Sequence, residues 1–521
     1  MSVRTLRLAS LIYLLLPAIL FTLGWFDPIF SIPVLIGFGF LTVRAFRERS
    51  DVGADFTRQD LFYLAGMGLV LTLYSGIAGL SAQMFDHWGH NAKYYDLTVH
   101  NWPLFFPERD RYATYYFGFY LVPAFLSKIT LGRPYEPFLA GWTAIGFFLG
   151  ISWVYLVTGR RKLLLLLLPL VGGLNNGLKE LLLHSFYGNH PITPHLYGFV
   201  SWFDQLQWVP NQLVSCTLIS GMLLYNAFHR RQLESTFFPI TLSFIWAVFP
   251  GAFFVVLYGF ILIQKSIGQP FLKFFRETLA AHLVAGLIFL PTFVYLNSGD
   301  GMPVAGFIWE YEAFPKLAMR YFLSVVLDLG ILYALCRYVT RQFPHLFPSW
   351  FVTALFVLFF LATHYRVGYY NDWLMRLQQP MLTITGIIIL RGLAEAFDQS
   401  PVARPAMLKW MVPILILWSP IALRRAARTT YRNAITTAIA GKPMYNPIPY
   451  DKYPNTYQFL LHKHSQLEAN QYLGKKNSVY ERYLANKGAH GPLLFKPTVA
   501  ITTAPLPSKS GGPERKVPGH Q

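Results

Sequence analysis

Runs of about twenty apolar residues recur along this chain, and each is long enough to cross the hydrocarbon core of a bilayer as a helix. The first opens at Leu8 and the last ends at Leu423, so the segments span most of the 521 residues. Only 13% of the residues are charged, about half the ~25% of an ordinary soluble domain, and mean hydropathy is +0.37. These values exclude a cytosolic globular enzyme, a disordered chain and a disulfide scaffold. The fold class that remains is an all-α polytopic membrane protein.

Lys and Arg exceed Asp and Glu by 19 charges. In a soluble protein such an excess suggests nucleic acid. Here the basic residues fall mostly in short loops and the tail, as the positive-inside rule and anionic headgroups lead one to expect. Membrane lipids are therefore the expected partners, and nucleic acid is not. Cys216 and Cys336 lie within apolar runs, form no metal-spaced pair and do not suggest a disulfide. The run after Arg4 and Arg7 is longer than a signal-peptide core and lacks a small-x-small cleavage site before Asp27-Pro28, so it reads as an uncleaved first helix.

Hydropathy and Lys/Arg together predict topology. Leu8–Phe26 leads out, Ile29–Val43 returns to the basic loop Arg44 to Arg49, and Leu61–Leu80 exits to a polar loop at residues 83–112. Gln212–Phe228 descends to His229-Arg230-Arg231, and Phe237–Ile263 reads as two short passes broken at Pro250-Gly251. Thr278–Leu296, Leu317–Leu335, Trp350–Ala362, Gln378–Leu393 and Met411–Leu423 then alternate, leaving the tail from Arg424 outside. One conflict stands. If both Tyr115–Ile129 and Phe138–Val157 cross, Arg160-Arg161-Lys162 falls on the outer side, so either one is partial or the loop breaks the rule. The expected total is about 11–13 transmembrane helices.

The predicted organisation is a hairpin and cytoplasmic loop at 1–60 and a transmembrane core at 61–423 with outer loops at 83–112, 174–210, 297–316 and 364–376. A polar tail follows at 424–490, then a Pro/Gly/Ser/Lys-rich terminus at 491–521 with the composition of disorder.

Polar chemistry gathers in three of these loops. The first holds Asp86, His87, His90, Asn91, Lys93, Asp96, Trp102-Pro103, Glu108, Arg109 and Arg111. The second holds Asn175, Asn176, Lys179, Glu180, His184, His190, His195 and the stretch Trp202 to Gln212, including Trp208. The third is Tyr369-Tyr370-Asn371-Asp372-Trp373-Leu374-Met375-Arg376. Carboxylates beside Arg, His and Trp at a membrane surface suit a sugar joined to a lipid phosphate. A carboxylate takes a proton from a hydroxyl, a guanidinium grips phosphate oxygens, and aromatic faces pack on sugar rings.

Simpler roles stand beside these. Asp86 closely follows an apolar run, as an interfacial helix cap would, and Asp96 suits an ordinary helix face. His87 and His90 have the i, i+3 spacing of a metal pair but lack a convincing fourth ligand. Asp372 and Arg376 share a helical face, as a structural ion pair does. Asp328 sits inside an apolar run, where an ionisable group is functional by default or bonds to a neighbouring helix. The sequence contains no Walker-type phosphate loop, dinucleotide fingerprint or His-Glu-x-x-His motif, which favours a membrane-borne donor over a nucleotide.

Ser75-Gly-Ile-Ala-Gly, Gln83, Asp86, Asn91, Asp96, Trp102-Pro103 and Tyr115-Tyr116 to Ala124 together resemble the first-loop region of GT-C integral membrane glycosyltransferases, in particular bacterial envelope-polysaccharide members. Trp208-Val-Pro-Asn-Gln212 is similar to that group's second-loop pattern, with Asn211 and Gln212 as departures, and Asn371-Asp372 to Arg376 and Pro380 resembles its later turn. The likeness implies a GT-C-like fold in the bacterial inner (plasma) membrane with an extracytoplasmic active site. It implies a polyprenyl-phosphate-linked sugar donor, a glycan, lipid or protein acceptor, and inversion at the anomeric centre.

On this resemblance Asp86, with Asp96, is the catalytic carboxylate. Arg376, Asp372, Arg109, Arg111, His90, Lys93, Trp208 and Gln212 bind substrate, and the second loop and tail shape the acceptor cleft. Some members bind a divalent cation such as Mg or Mn, for which this chain offers no firm ligand set. A polysaccharide polymerase or ligase would call for more than one essential arginine at a diphosphate leaving group. A transporter or flippase of lipid-linked glycans would show broken helices, midplane charges and repeats. A degenerate scaffold is the remaining alternative.

Overall fold

The apolar runs become helices where a polar residue closes the first turn. Ser2 caps α1 (Val3–Trp25), its hydroxyl accepting from the Thr5 N–H at 3.1 Å. Asp27 then caps α2 (Pro28–Arg47), with Pro28 at the first position, where no N–H is required. Thr57 and Asp60 form a reciprocal capping box on α3 (Arg58–Ser75). The computed structural model describes residues 1–48, 55–79, 81, 83–173, 199–230, 232–267, 270–300, 304–311, 318, 321–368, 371–399, 408–417, 420–431 and 453–487. The second-loop residues Asn175 to His195, Tyr369, Tyr370 and the terminus at 491–521 lie outside them.

The described chain is mostly helical. After α3 come α4 (His87–Val99), α5 (Gly118–Thr130), α6 (Glu136–Val157), α7 (Trp202–Trp208), α8 (Pro210–Leu224), α9 (Phe237–Ser243), α10 (Val248–Ser266) and α11 (Phe271–Leu296). They are followed by α12 (Leu327–Gln342), α13 (Ser349–Ala362), α14 (Asp372–Asp398), α15 (Leu408–Leu417), α16 (Pro420–Tyr431), α17 (Thr456–Lys463) and α18 (Gln466–Asn470). Two small antiparallel ribbons complete it: β1 (Phe105–Phe106) with β2 (Arg111–Tyr112), pairing Phe105 with Tyr112, and β3 (Ala305–Phe307) with β4 (Tyr365–Val367).

Among the described residues five helices are long and apolar enough to cross a membrane: α1, α2, α6, α10 and α14. The apolar stretch His282–Leu296 and α13 are shorter. Several other apolar runs among the described residues fold as helices too short to cross alone. α5 is one of these. Its 13 residues rise only about 20 Å, short of the ~30 Å hydrocarbon core.

Contacts sort the loops to two ends. At the basic end Arg7 and Arg230 both pair with Glu48, at 3.1 and 3.0 Å, and Lys162 pairs with Asp60 at 2.9 Å. At the other end the Tyr480 hydroxyl donates to the Trp25 carbonyl at 3.1 Å, and the Lys475 N–H to that of Ser298 at 2.7 Å. The partial α5 removes the conflict over Arg160-Arg161-Lys162. Only α6 runs between the ends there, and Arg160 donates to the Asp55 carbonyl at 2.9 Å, beside the other basic loops. The break predicted at Pro250-Gly251 falls instead at residues 244–247, and Pro250 sits in the first turn of α10, where proline is tolerated.

α6 is the central helix, packed between α3 and α8. A Cβ on Gly68 would stand 2.9 Å from the Ala144 carbonyl oxygen, and one on Gly221 2.5 Å from the Trp153 Cβ. Small residues permit this close backbone approach. The segment 453–487 folds back as a cap over the second end. The Thr114 N–H donates to the Tyr472 carbonyl, Gly474 N–H to Tyr112, and Asp27 N–H to Leu484, at 2.8–2.9 Å.

Candidate functional site

α4 lies across the capped end with one polar stripe turned inward. His87, His90, Lys93 and Asp96 recur at every third position and are 0–5% exposed, the spacing that puts side chains on one helical face. Each meets a different element. The His87 Nε2–H donates to the Gln207 carbonyl at 2.9 Å, and that of His90 to the Trp208 carbonyl at 3.1 Å. Carbonyl oxygens only accept, so Nε2 carries the proton and His90 Nδ1 accepts from the Tyr120 hydroxyl. Burial holds both imidazoles below their ordinary range, His87 at about 4. These two histidines are therefore neutral struts joining α4 to α5 and α7.

Asp86 occupies the N-cap position of α4, yet its side chain makes no capping hydrogen bond. The cap role open to it in the sequence is unfilled. The carboxylate is half-buried, within electrostatic reach of Arg376, Asp372, Lys93 and His464. Burial raises its carboxyl above the usual range and Asp372 adds to that, while Arg376, Lys93 and His464 oppose it. Lys93 is held at about 7, burial acting first and Arg376 second, with Asp86 pulling the other way. Its ammonium donates to the Tyr472 hydroxyl at 3.3 Å and stands 4.3 Å from the centre of the Tyr115 ring.

Arg376 is the fifth residue of α14 and stands directly over its first turn. Asn371, in the left-handed region with φ 53°, caps that turn by accepting from the Leu374 N–H. Gly368 at φ 85° passes where a Cβ would meet an Asp372 carboxylate oxygen at 2.4 Å. Asp372 Oδ1 accepts from Arg376 Nη2 at 3.1 Å, the i, i+4 pair expected, while Arg376 Nε is buried without a partner among the described residues.

Tyrosines close around these charges, and the site they form together is termed the recess. Tyr115 stacks on Tyr116 at 3.9 Å and on Tyr472 at 4.6 Å. Gln212 donates to the Tyr116 hydroxyl at 2.9 Å. Gln212 Oε1, Trp208 Nε1 and both polar side-chain atoms of Asn211 are buried and unpartnered among the described residues. Leaving a buried polar atom unpaired costs about 1–3 kcal/mol, so such atoms call for an explanation.

The remaining sequence candidates lie elsewhere. Asp96 is separated from Asp86 along α4: its Oδ2 accepts from the Thr456 N–H at 2.7 Å and Oδ1 stands 3.7 Å from His100 Nε2. Burial lifts its carboxyl to about 6 against the pull of His100. Arg109 donates to the Tyr457 hydroxyl at 2.5 Å and Arg111 pairs with Asp300 at 2.5 Å. All three hold loops and tail together. Asp328 is fully buried in α12.

Three residues of the recess escaped the sequence reading: Tyr472, His464 and Glu468, all in the tail. His464 Nδ1 pairs with Glu468 at 2.7 Å, its ring lies 4.5 Å from that of Phe85, and its Nε2 is buried and unpartnered among the described residues. The i, i+4 spacing of His464 and Glu468 was the available signal. Among the described residues no three His, Cys, Asp or Glu side chains converge as a metal site. No family model, curated protein or solved structure matches this chain.

Proposed function

We propose that this chain is a membrane glycosyltransferase of GT-C-like type, moving a sugar from a polyprenyl-phosphate donor to an extracytoplasmic acceptor in a bacterial inner membrane. One observation carries the reading. A carboxylate released from its helix-capping role, Asp86, is grouped among tyrosines with a buried ammonium and a half-buried guanidinium. The unpartnered atoms of Arg376, Trp208, Asn211 and Gln212 nearby are the polar groups a sugar phosphate would engage.

The proposed step is an in-line displacement. Asp86 takes the proton of an acceptor hydroxyl, and that oxygen bonds to the anomeric carbon from the face opposite the phosphate. The bond between the anomeric carbon and the phosphate oxygen breaks, and its electron pair leaves with the lipid phosphate. Arg376 and protonated Lys93 balance the developing charge, the role of preorganised cations in a low-dielectric recess. A raised carboxyl suits a general base, because the best proton acceptor has a pKa near the working pH. Asp372 is engaged by Arg376 and no three acidic, His or Cys side chains converge among the described residues, so an Mg or Mn ion here would be held by Asp86 and would draw its other ligands from water and the donor phosphate.

The test is a mass-spectrometric profile of lipid-linked and envelope saccharides. It compares cells lacking the gene with cells complemented by wild type or Asp86→Asn at equal membrane level. Loss of the same single sugar in both deficient strains supports the transferase. Complete restoration by Asp86→Asn overturns it and favours transport or scaffolding.

A further inference from the structure

A cavity opens at the same end, between the residues that follow α4 and the returning tail, with a volume of about 460 Å³. That lies in the ~300–1,000 Å³ range of small-molecule sites and exceeds the room one sugar ring needs. Its polar lining is His100, one carboxylate and three carboxamides. Asn101, Asn455 and Asn486 supply carboxamides from three separate segments. Glu108 is the one carboxylate of the lining, and it accepts from the Asn455 amide at 3.0 and 3.2 Å. Phe105 and Tyr112 supply aromatic surface, their rings set edge to face at 5.3 Å.

The chemistry selects among ligands. No Lys or Arg lines the cavity, its His100 is turned to the Pro454 carbonyl and Asp96, and the nearby Arg109 and Arg111 are turned to Tyr457 and Asp300, so a phosphate would meet the Glu108 carboxylate without an unengaged Lys or Arg to balance it. A single carboxylate is too few for a hard cation, which takes six to eight oxygens. Carboxamides beside aromatic faces match a ligand with many hydroxyls and apolar ring faces. The walls are preformed: Pro103, Pro107 and Pro454 restrict the backbone, and the Thr456 N–H bond to Asp96 fixes the tail beside Asn455. The cavity also lies near the recess. Tyr112 lines it, and Tyr115, no more than about 10 Å of chain further on, stacks on Tyr472.

We propose that this cavity binds a neutral oligosaccharide, which, if the transferase reading holds, is the part of the acceptor glycan beyond the reacting sugar. The test uses full-length protein in nanodiscs on an array of neutral and acidic mono- to tetrasaccharides. Wild type is compared with Asn101→Trp, which fills the cavity, Phe105→Ala, which removes a ring face, and Asp86→Asn. The expected result is binding of neutral di- to tetrasaccharides, weakened at least tenfold in both cavity variants and kept in Asp86→Asn. No binding of any neutral oligosaccharide by wild type, equal binding by both cavity variants, or loss in Asp86→Asn alone overturns the proposal. Saccharide binding with an unchanged cellular sugar profile in the Asp86→Asn strain would refute the transferase and leave the cavity standing.

Discussion

The two ends of α4 carry the same residue types and use them oppositely. At the C-terminal end Asp96 accepts from Thr456 and faces His100, whose Nε2–H donates to the Pro454 carbonyl at 2.8 Å. At the N-terminal end Asp86 makes no capping bond and His464 keeps an unpartnered Nε2. Acid and histidine are present in both places, so composition does not mark the site. What differs is the kind of partner: Asp96 holds the tail backbone through Oδ2, its Oδ1 being buried without a hydrogen bond among the described residues, whereas Asp86 has charged groups within electrostatic reach. One end is an anchor for the tail, and the other is a set of charges facing a recess.

The largest expected effect tests that contrast directly. Asp86→Asn should lower transfer about 10³-fold, within the ~10²–10⁴ range for a positioned general base, while Asp96→Asn should leave turnover within about twofold. Single-turnover assays on purified protein decide it, and equal losses in both variants would erase the distinction. Next come the cations. Arg376→Gln should cost about 10²-fold in kcat/KM. Lys93 sheds its proton as pH rises through about 7, so the donor KM should climb several-fold between pH 6 and 8, and Lys93→Arg, charged throughout, should flatten that rise.

A smaller effect is expected in the tail. His464→Gln and Glu468→Gln should each lower kcat about tenfold, and together no more than either alone, since the two act as a pair. A merely structural role would lower the melting temperature and persist in an Asp86→Asn background. A role acting through Asp86 would vanish there.

The alternation of helices between two ends and the polar first loop were legible because hydropathy and basic residues are local signals. Asp86, Lys93 and Arg376 could be named from the first loop and the later turn, but their convergence could not, since it depends on how α14 packs against the N-terminal half. An apolar run states only that a segment avoids water, and α5 meets that condition with 13 residues, too few to span. The sequence offers Arg109 and Arg111 as phosphate ligands, and an arginine in a loop shows nothing of the partners it meets in the fold. Their partners, Tyr457 and Asp300, are 348 and 189 residues away, beyond any local pattern. His464 and Tyr472 were hidden for the same reason: a polar tail gives no sign of the surface it covers.

The smallest predicted effect falls on the anchor. In the folded protein burial raises the Asp96 carboxyl from 3.8 to about 6, so folding favours the protonated acid. Its stabilising contribution is complete below about pH 4 and is lost as pH rises through 6, where a buried charge must form. Asp96→Asn keeps an oxygen to accept from the Thr456 N–H but cannot ionise. The variant should therefore melt above wild type at pH 8, by about 1–2 °C on the scale of a modest stability change, and the gap should close by pH 5. His100 and Glu108 also act on this carboxyl, so His100→Gln should steepen the wild-type decline by removing its favourable partner. A melting temperature that falls in Asp96→Asn at every pH would mean that the ionised carboxylate itself holds the tail, and the two ends of α4 would then differ in ligand access rather than in charge.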